Sequence, residues 1–272
     1  MSTEKQGTLV LAVLVSCCCF FAGAPNSISL MAQVHTTVGL LRSVYLVKYG
    51  SESGTAFVLS AEGGPYFVTA GHVVDGLATG GRISVRTGWD RWEDFTVTRI
   101  PLSPKLDIAV LKLDRPIGSP EMWIEAGSLA GREPNLEVYF LGFPYGGQLT
   151  LNGKTYRLSS NFESGGISYP APLVKHGIIS GIDAQDPEAA IIFVDAMNNE
   201  GFSGAPVVFW DSAARLPRVI GVVTARLPER LMVPRGASPL PAWANSGIVV
   251  AYHISGALDA IHRYQITGQK VK

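Results

Sequence analysis

The chain has 272 residues, of which 47% are apolar and 16% are charged, and its 22 Lys and Arg balance its 22 Asp and Glu. This apolar fraction is sufficient for a large core and excludes an intrinsically disordered chain. Zero net charge without a basic run speaks against nucleic acid as a partner, because phosphate binding needs clustered Lys and Arg. The 30 glycines and 17 prolines indicate many turns, and therefore many short strands.

The first 24 residues have the layout of an export signal. Lys5 precedes an apolar run from Leu9 to Ala24, and all three cysteines (Cys17–Cys19) lie in this run. Three alternatives stay open: a cleaved signal peptide, lipidation at Cys17 as in a bacterial lipoprotein, or an uncleaved membrane anchor. We therefore expect an exported protein, periplasmic or extracellular in a bacterium, with membrane attachment under the second and third alternatives. Its body, 25–272, contains no Cys and so forms no disulfide.

Twelve short runs of β-branched and aromatic residues follow, separated by turns that contain Gly or Pro. Runs at this spacing, without long helices between them, predict an all-β barrel or sandwich. Ser255 is a candidate N-cap for a short C-terminal helix at about 255–264. The proline-rich stretch from Leu227 to Asn245 is expected to be an irregular excursion. The runs are 44–47, 56–59, 66–69, 83–85, 95–97, 108–111, 138–141, 177–180, 191–194, 207–210, 219–223 and 248–251.

A serine between two glycines is the most informative local feature. Ser203 lies between Gly201 and Gly204, with Pro206 and an apolar run directly after them. Such a bend exposes the hydroxyl, and Gly201 can take a positive φ that directs its N–H into the same space as the N–H of Ser203. Two such donors would stabilise a developing oxyanion. An ordinary glycine-rich turn is the alternative interpretation.

A serine nucleophile needs a base, and the base needs a carboxylate to hold its tautomer. His72 follows an apolar strand, at the point where small residues replace the large ones. Asp107 begins a strongly apolar strand, so its carboxylate is partly buried and needs a partner. Each residue has an ordinary interpretation by itself. The three in the order His, Asp, Ser indicate nucleophilic catalysis.

The motifs around these residues resemble those of trypsin/chymotrypsin-type serine peptidases, closest in style to bacterial HtrA-like and glutamyl-endopeptidase-like enzymes. The resemblance extends from about Val38 to Ile261. A peptide-binding PDZ domain, which HtrA-like enzymes append, is not expected after Lys272. The matching segments are 54–58, 69–74, 106–111 and 201–206, supported by 141–144, 177–180 and 220–224.

The resemblance implies two packed six-stranded antiparallel β-barrels, the first at about 38–130 and the second at about 131–254. It places the active site in the cleft between them. Ser203 would attack a peptide carbonyl, His72 would transfer the proton, and Asp107 would orient His72. The N–H groups of Gly201 and Ser203 would hold the oxyanion, and the substrate would be a protein or peptide.

The resemblance also suggests residues that select the substrate. Met197, six residues before Ser203, stands where trypsin-like enzymes carry the floor of the specificity pocket. Val223 would line the wall of this pocket, Arg226 would narrow its entrance, and the Thr224 hydroxyl would donate to Asp107. Since Met197 and Val223 are apolar, we expect an apolar residue before the scissile bond.

Phe202 departs from the family pattern. Trypsin-like enzymes have Asp at this position, which pairs with a freed N-terminus on activation, and HtrA-like enzymes commonly have Asn. Phe202 can do neither, so activation by that ion pair is excluded. Whether the oxyanion loop has its active form at rest is left open.

Three other functions compete with a serine endopeptidase. An exported, catalytically inactive homologue would act as a binding or scaffold protein, because a fold does not fix a function. An α/β-hydrolase would have Gly where Ala205 stands and a helix, not a β-run, after the nucleophile. A metal enzyme is disfavoured because no two His share a ligand-like spacing, and neither a metal nor another cofactor is expected.

Overall fold

The computed structural model describes residues 38–128, 134–157, 159–160, 169–234 and 240–268, so the predicted export segment lies outside the described residues. Among these residues, two α-helices flank the strands: α1 at residues 38–42 and α2 at Ser255–Gly268. In the described part of the chain, no helix combines the length and the hydropathy needed to cross a membrane. The strands are β1 (Val44–Tyr49), β2 (Glu52–Ala61), β3 (Gly64–Ala70), β4 (Arg82–Arg86), β5 (Trp92–Ile100), β6 (Ile108–Leu113), β7 (Ile124–Ala126), β8 (Glu137–Gly142), β9 (Gln148–Leu151), β10 (Lys154–Arg157), β11 (Ser159–Ser160), β12 (Tyr169–Pro170), β13 (Leu173–Asp183), β14 (Ile191–Asp195), β15 (Pro206–Asp211), β16 (Leu216–Val233) and β17 (Leu240–His253).

The first six strands close into a barrel. Their order is β1-β4-β5-β6-β3-β2, and β1 also pairs with β2, so these six strands close on themselves. Every neighbouring pair in this barrel is antiparallel. The alternation of apolar and polar residues accounts for the inward face. In β5, for example, Phe95 and Val97 are buried whereas Thr96 is exposed. Phe67 and Leu111 pack with them inside the barrel.

A second closed barrel follows, with the strand order β16-β15-β8-β13-β14-β17 and a pairing of β16 with β17. Phe140, Ile192 and Phe209 lie in its interior. β7 runs parallel to both β2 and β16 and joins the barrels. The twelve predicted runs all lie in barrel strands, which confirms the prediction of two packed six-stranded barrels with a C-terminal helix.

A third apolar cluster fills the space between the barrels and under the C-terminal helix. It includes Phe57 and Val110 of the first barrel, Leu141 and Val208 of the second, and Ile261 of α2. Each of these side chains is at most 2% exposed. Burial of this apolar surface holds the facing ends of the two barrels together.

The prediction of an irregular excursion between Leu227 and Asn245 was wrong for its two ends, 227–233 and 240–245, while 235–239 lie outside the described residues. β16 and β17 continue beyond the barrel as a two-stranded ribbon, in which Leu231 faces Ala242. Pro228 and Pro241 are tolerated in this ribbon, because a two-stranded ribbon has an open edge along each strand and needs no ladder bond there.

Candidate active site

The first barrel brings His72 and Asp107 together through strand pairing. His72 begins a short 3-10 turn (His72–Val74) that is separated from β3 by one residue, and Asp107 directly precedes β6. β3 and β6 are antiparallel neighbours, with Ala70 opposite Ile108, so the end of one strand lies beside the start of the other. The His72 Nδ1 atom lies 2.7 Å from Asp107 Oδ2, and the His72 backbone N–H donates to Oδ1 at 2.8 Å. Two contacts therefore fix the ring relative to the carboxylate.

The electrostatic environment favours the protonated imidazole. The hydrogen bond to Asp107 raises the pKa of His72, partial burial opposes this change, and the negative charges of Asp107 and Glu52 add to the increase. The side chains of His72 and Asp107 are 46% and 34% exposed, so solvent screens the pair in part. Glu52, an exposed residue at the start of β2, carried no signal in the sequence.

Ser203 lies next to the turn that carries His72. The Thr55 N–H donates to the Ser203 carbonyl at 2.8 Å, which ties the second barrel to β2 of the first. A Cβ atom on Gly54 would lie 2.7 Å from the Val73 side chain and 2.8 Å from the Ser203 carbonyl. Gly204 has a φ of +88°, and a Cβ atom there would lie 1.9 Å from the Thr55 carbonyl. Only glycine permits this close approach of the two backbones.

The segment before Ser203 bends sharply at Gly201. Gly201 has a φ of +96°, and a Cβ atom there would lie 2.5 Å from the Phe143 carbonyl. The buried Thr55 hydroxyl donates to the Gly201 carbonyl at 2.7 Å and accepts from the Phe143 N–H at 3.0 Å. Thr55 therefore links Gly201 in the bend to Phe143 directly after β8, and no pattern in the sequence marked this role.

The two predicted oxyanion donors are available. Within the described residues, the N–H groups of Gly201 and Ser203 donate to no protein acceptor, whereas the N–H groups of Phe202 and Gly204 donate to carbonyls at 3.3 and 2.7 Å. From Gly201 to Gly204, N–H groups without a protein acceptor among the described residues therefore alternate with N–H groups that donate to a carbonyl. Likewise, no hydrogen bond between described residues joins the Ser203 hydroxyl to the His72 ring.

Phe202 is part of the core of the second barrel. Its side chain is fully buried, and its ring packs edge-on against Phe140 at a centroid distance of 5.1 Å. A Cβ atom on Gly142 would lie 2.7 Å from the Phe202 ring, so this ring also packs against the end of β8. Apolar packing therefore anchors the bend at the position where related enzymes carry a polar residue.

The expected specificity residues occupy different environments. Met197 is 56% exposed, so it does not form the floor of a closed pocket. Val223 is fully buried in the core of the second barrel and lines no open pocket. Arg226 is exposed. The side chain of Thr224 is 6% exposed, and no hydrogen bond between described residues joins its hydroxyl to Asp107. The residue count from Ser203 could not show these differences, because burial depends on how the loop folds against β16 and β17.

Asn198 supports the loop before Ser203, and no pattern in the sequence marked it. It is 6% exposed, and its Nδ2 atom donates to the Ala225 carbonyl at 3.2 Å. The Asn245 side chain in turn donates to the Asn198 carbonyl. These contacts hold the loop before Ser203 against β16 and β17.

His253 takes part in the start of the C-terminal helix. His253 Nδ1 lies 2.7 Å from the Ser255 hydroxyl and accepts from the Ser255 N–H, so it caps the start of α2. Among the residues that the structure describes, no group of three or more His, Cys, Asp or Glu side chains could hold a metal ion.

The model of the trypsin-like peptidase domain matches residues 54–222, which is more than half of the chain. The chain belongs to the trypsin-like peptidase family. The matched range contains His72, Asp107 and Ser203, and family membership supports a serine protease. The search of curated proteins finds no match.

Solved structures of low sequence identity share the fold of this trypsin-like peptidase domain. The HtrA-type protease AlgW with a tripeptide is 23% identical, with a TM-score of 0.56, and the alignment covers 87% of this chain and 64% of AlgW. A serine-to-alanine mutant of Rv3671c from M. tuberculosis in an inactive form is 17% identical, with a TM-score of 0.52 and coverages of 90% and 96%. A serine endoprotease from Yersinia pestis is 19% identical, with a TM-score of 0.51 and coverages of 89% and 67%.

Proposed function

We propose that this protein is a serine endopeptidase in which Ser203, His72 and Asp107 form the catalytic triad. The observation that carries the proposal is the 2.7 Å contact between His72 Nδ1 and Asp107 Oδ2, beside a bend that presents Ser203. With Nδ1–H directed at the carboxylate, the other ring nitrogen carries the lone pair that a general base needs. The bond from Ser203 to this nitrogen is expected to form when substrate binds, because such bonds are often long in free enzymes.

The chemistry follows from this arrangement. Ser203 attacks the peptide carbonyl while His72 takes its proton, and the N–H groups of Gly201 and Ser203 hold the oxyanion. His72 then gives the proton to the leaving amine, which leaves an acyl group on Ser203, and water releases this group by the same steps in reverse. Asp107 stabilises the imidazolium that forms in each half of the reaction.

A fluorophosphonate probe, which reacts with an activated serine, tests this proposal. We expect labelling of the wild-type protein at Ser203 and none of Ser203→Ala. The same variant should lower peptide turnover by roughly 10⁶-fold. A folded wild-type protein that is not labelled would instead support the catalytically inactive binding or scaffold protein.

We also propose a preference for an apolar residue before the scissile bond. Met197 and Asn198 precede Ser203, and Met197 Sδ lies 3.9 Å from a Cβ atom built on Gly247. Met197, Asn198 and Gly247 carry no charge that would select Lys, Arg or Glu, and the exposed Met197 side chain would meet the substrate at the surface, not as the floor of a closed pocket. Digestion of a peptide library provides the test, and cleavage mainly after those charged residues would contradict the proposal.

Export of the protein is a separate proposal, supported by the apolar run from Leu9 to Ala24. Mass spectrometry of the N-terminus of the protein from a bacterial host distinguishes the three alternatives. A new N-terminus near residue 25 indicates cleavage, a lipid mass on Cys17 indicates a lipoprotein, and an intact N-terminus indicates a retained anchor.

A further inference from the structure

The loop that precedes Ser203 needs a support that the Phe202 side chain cannot give by hydrogen bonding. Residues 197–202 carry the Gly201 N–H, whose direction decides whether an oxyanion can bind. The Phe202 ring is buried and has no polar atom, so it fixes the bottom of the loop by packing alone. The polar groups at the top of the loop must find their partners elsewhere.

Lys175 supplies these partners from the neighbouring strand. Its Nζ atom donates to the Met197 carbonyl at 2.6 Å and to Asn199 Oδ1 at 2.6 Å. The same atom lies 5.4 Å from the centroid of the Phe202 ring, which is within the range of a cation–π interaction. One ammonium group therefore contacts three residues of one loop.

The position of Lys175 itself is well fixed. It lies in β13, where it is paired with Phe140 of β8, and Phe140 packs against Phe202. The ammonium group is partly buried, and desolvation lowers the pKa of Lys175. A lysine held in this way replaces its lost hydration with the carbonyl and amide oxygens of the loop.

The contacts of Lys175 continue to the peptide that carries the oxyanion donor. Asn199 Nδ2 donates to the Tyr145 hydroxyl at 3.1 Å, and the Tyr145 N–H donates to the Glu200 carbonyl at 3.2 Å. The carbonyl and N–H of a trans peptide point in opposite directions. Because the Glu200 carbonyl points towards Tyr145, the Gly201 N–H points away from it, and it donates to no acceptor among the described residues.

We propose that Lys175 is a positioning residue that holds residues 197–202 in the conformation able to bind an oxyanion. It does so through the Met197 carbonyl and the side chain of Asn199, and it supplies the polar anchor that Phe202 lacks. This inference rests on the proposed function, because the conformation matters only if Ser203 reacts. Lys175 touches no reacting atom and acts through the loop.

The test compares Lys175→Met with a matched control, Lys48→Met. Lys48 also lies on a barrel strand with its Nζ over an aromatic ring, 4.6 Å from the centroid of Trp92, but in the first barrel. We expect Lys175→Met to lower kcat and the rate of fluorophosphonate labelling by about 10²-fold, as a misplacement of about 1 Å does, with KM within about threefold. Lys48→Met should leave kcat, KM and the labelling rate unchanged. Lys175→Arg should retain part of the labelling rate and of kcat, because it keeps the charge and the hydrogen-bond donors.

Amide hydrogen exchange provides a readout that does not depend on activity. We expect peptides covering 197–204 to exchange faster in Lys175→Met than in the wild type, while the strands of the first barrel are unchanged. If the wild type is not labelled, the proposed function fails, whereas faster exchange in the variant would still support the role of Lys175. The proposed role of Lys175 would be overturned if Lys175→Met were labelled, and exchanged its amide hydrogens, at the same rates as the wild type.

Discussion

The Thr55 hydroxyl makes the bend before Ser203 depend on the first barrel, and replacing it tests this dependence. Thr55 is fully buried, and its hydroxyl bonds both the Gly201 carbonyl at 2.7 Å and the Phe143 N–H at 3.0 Å. Thr55→Val keeps the shape of the side chain and leaves these two groups without a partner. Each buried group left unpaired costs about 1–3 kcal/mol. We therefore expect the free energy of unfolding to fall by about 2–4 kcal/mol, the carbonyl contributing less because Gly201 is only partly buried.

The same substitution should affect chemistry more than an equal loss of stability elsewhere. Once the Gly201 carbonyl is released, the N–H donors of the bend lose their alignment, and one lost oxyanion donor costs about 10²–10³ in kcat. Urea unfolding and fluorophosphonate labelling, both well below the melting temperature, measure the two effects separately.

Ser43→Ala is the matched control. Ser43 is also fully buried, and its hydroxyl donates to the Leu40 carbonyl at 2.6 Å near α1. We expect a loss of about 1 kcal/mol in the free energy of unfolding and no change in the labelling rate. Labelling of Thr55→Val at the wild-type rate, despite the expected destabilisation, would refute the link between Thr55 and the oxyanion donors.

Three further outcomes follow from the site. Activity needs a neutral His72, so it should fall as the pH drops through the raised pKa of this residue. Asp107→Asn removes the main cause of the raised pKa, so it should move the acidic limb of the pH–rate profile to lower pH. The same variant should lower kcat by about 10⁴-fold. Gly201→Ala should abolish labelling, because φ is positive and Cβ would lie 2.5 Å from a carbonyl, whereas Gly146→Ala, with nothing within 4 Å of its Cβ, should keep it. Phe202→Ala should lower the free energy of unfolding by about 3–5 kcal/mol in a denaturant titration, and wild-type stability would contradict its role in the core.

The ribbon formed by β16 and β17 shows where local patterns were insufficient. Its sequence contains Pro228 and Pro241, which by themselves suggest an irregular segment. Pairing with a partner strand decides the conformation, and that pairing is a non-local contact. The twelve barrel strands were predictable because each contains a short run of β-branched and aromatic residues, and Gly or Pro turns separate these runs.

The sequence by itself determined the barrel strands and the tight bend at Gly201, because each is a property of a few consecutive residues, and the chain order of His72, Asp107 and Ser203 can be read from it directly. The tertiary structure alone decided what surrounds them. Thr55 and Lys175 reach the bend from strands distant in the chain, and Val223 is buried by neighbours that only strand pairing brings together. Burial and hydrogen bonding across strands depend on which residues meet in space, and a linear pattern of residue types does not contain that information.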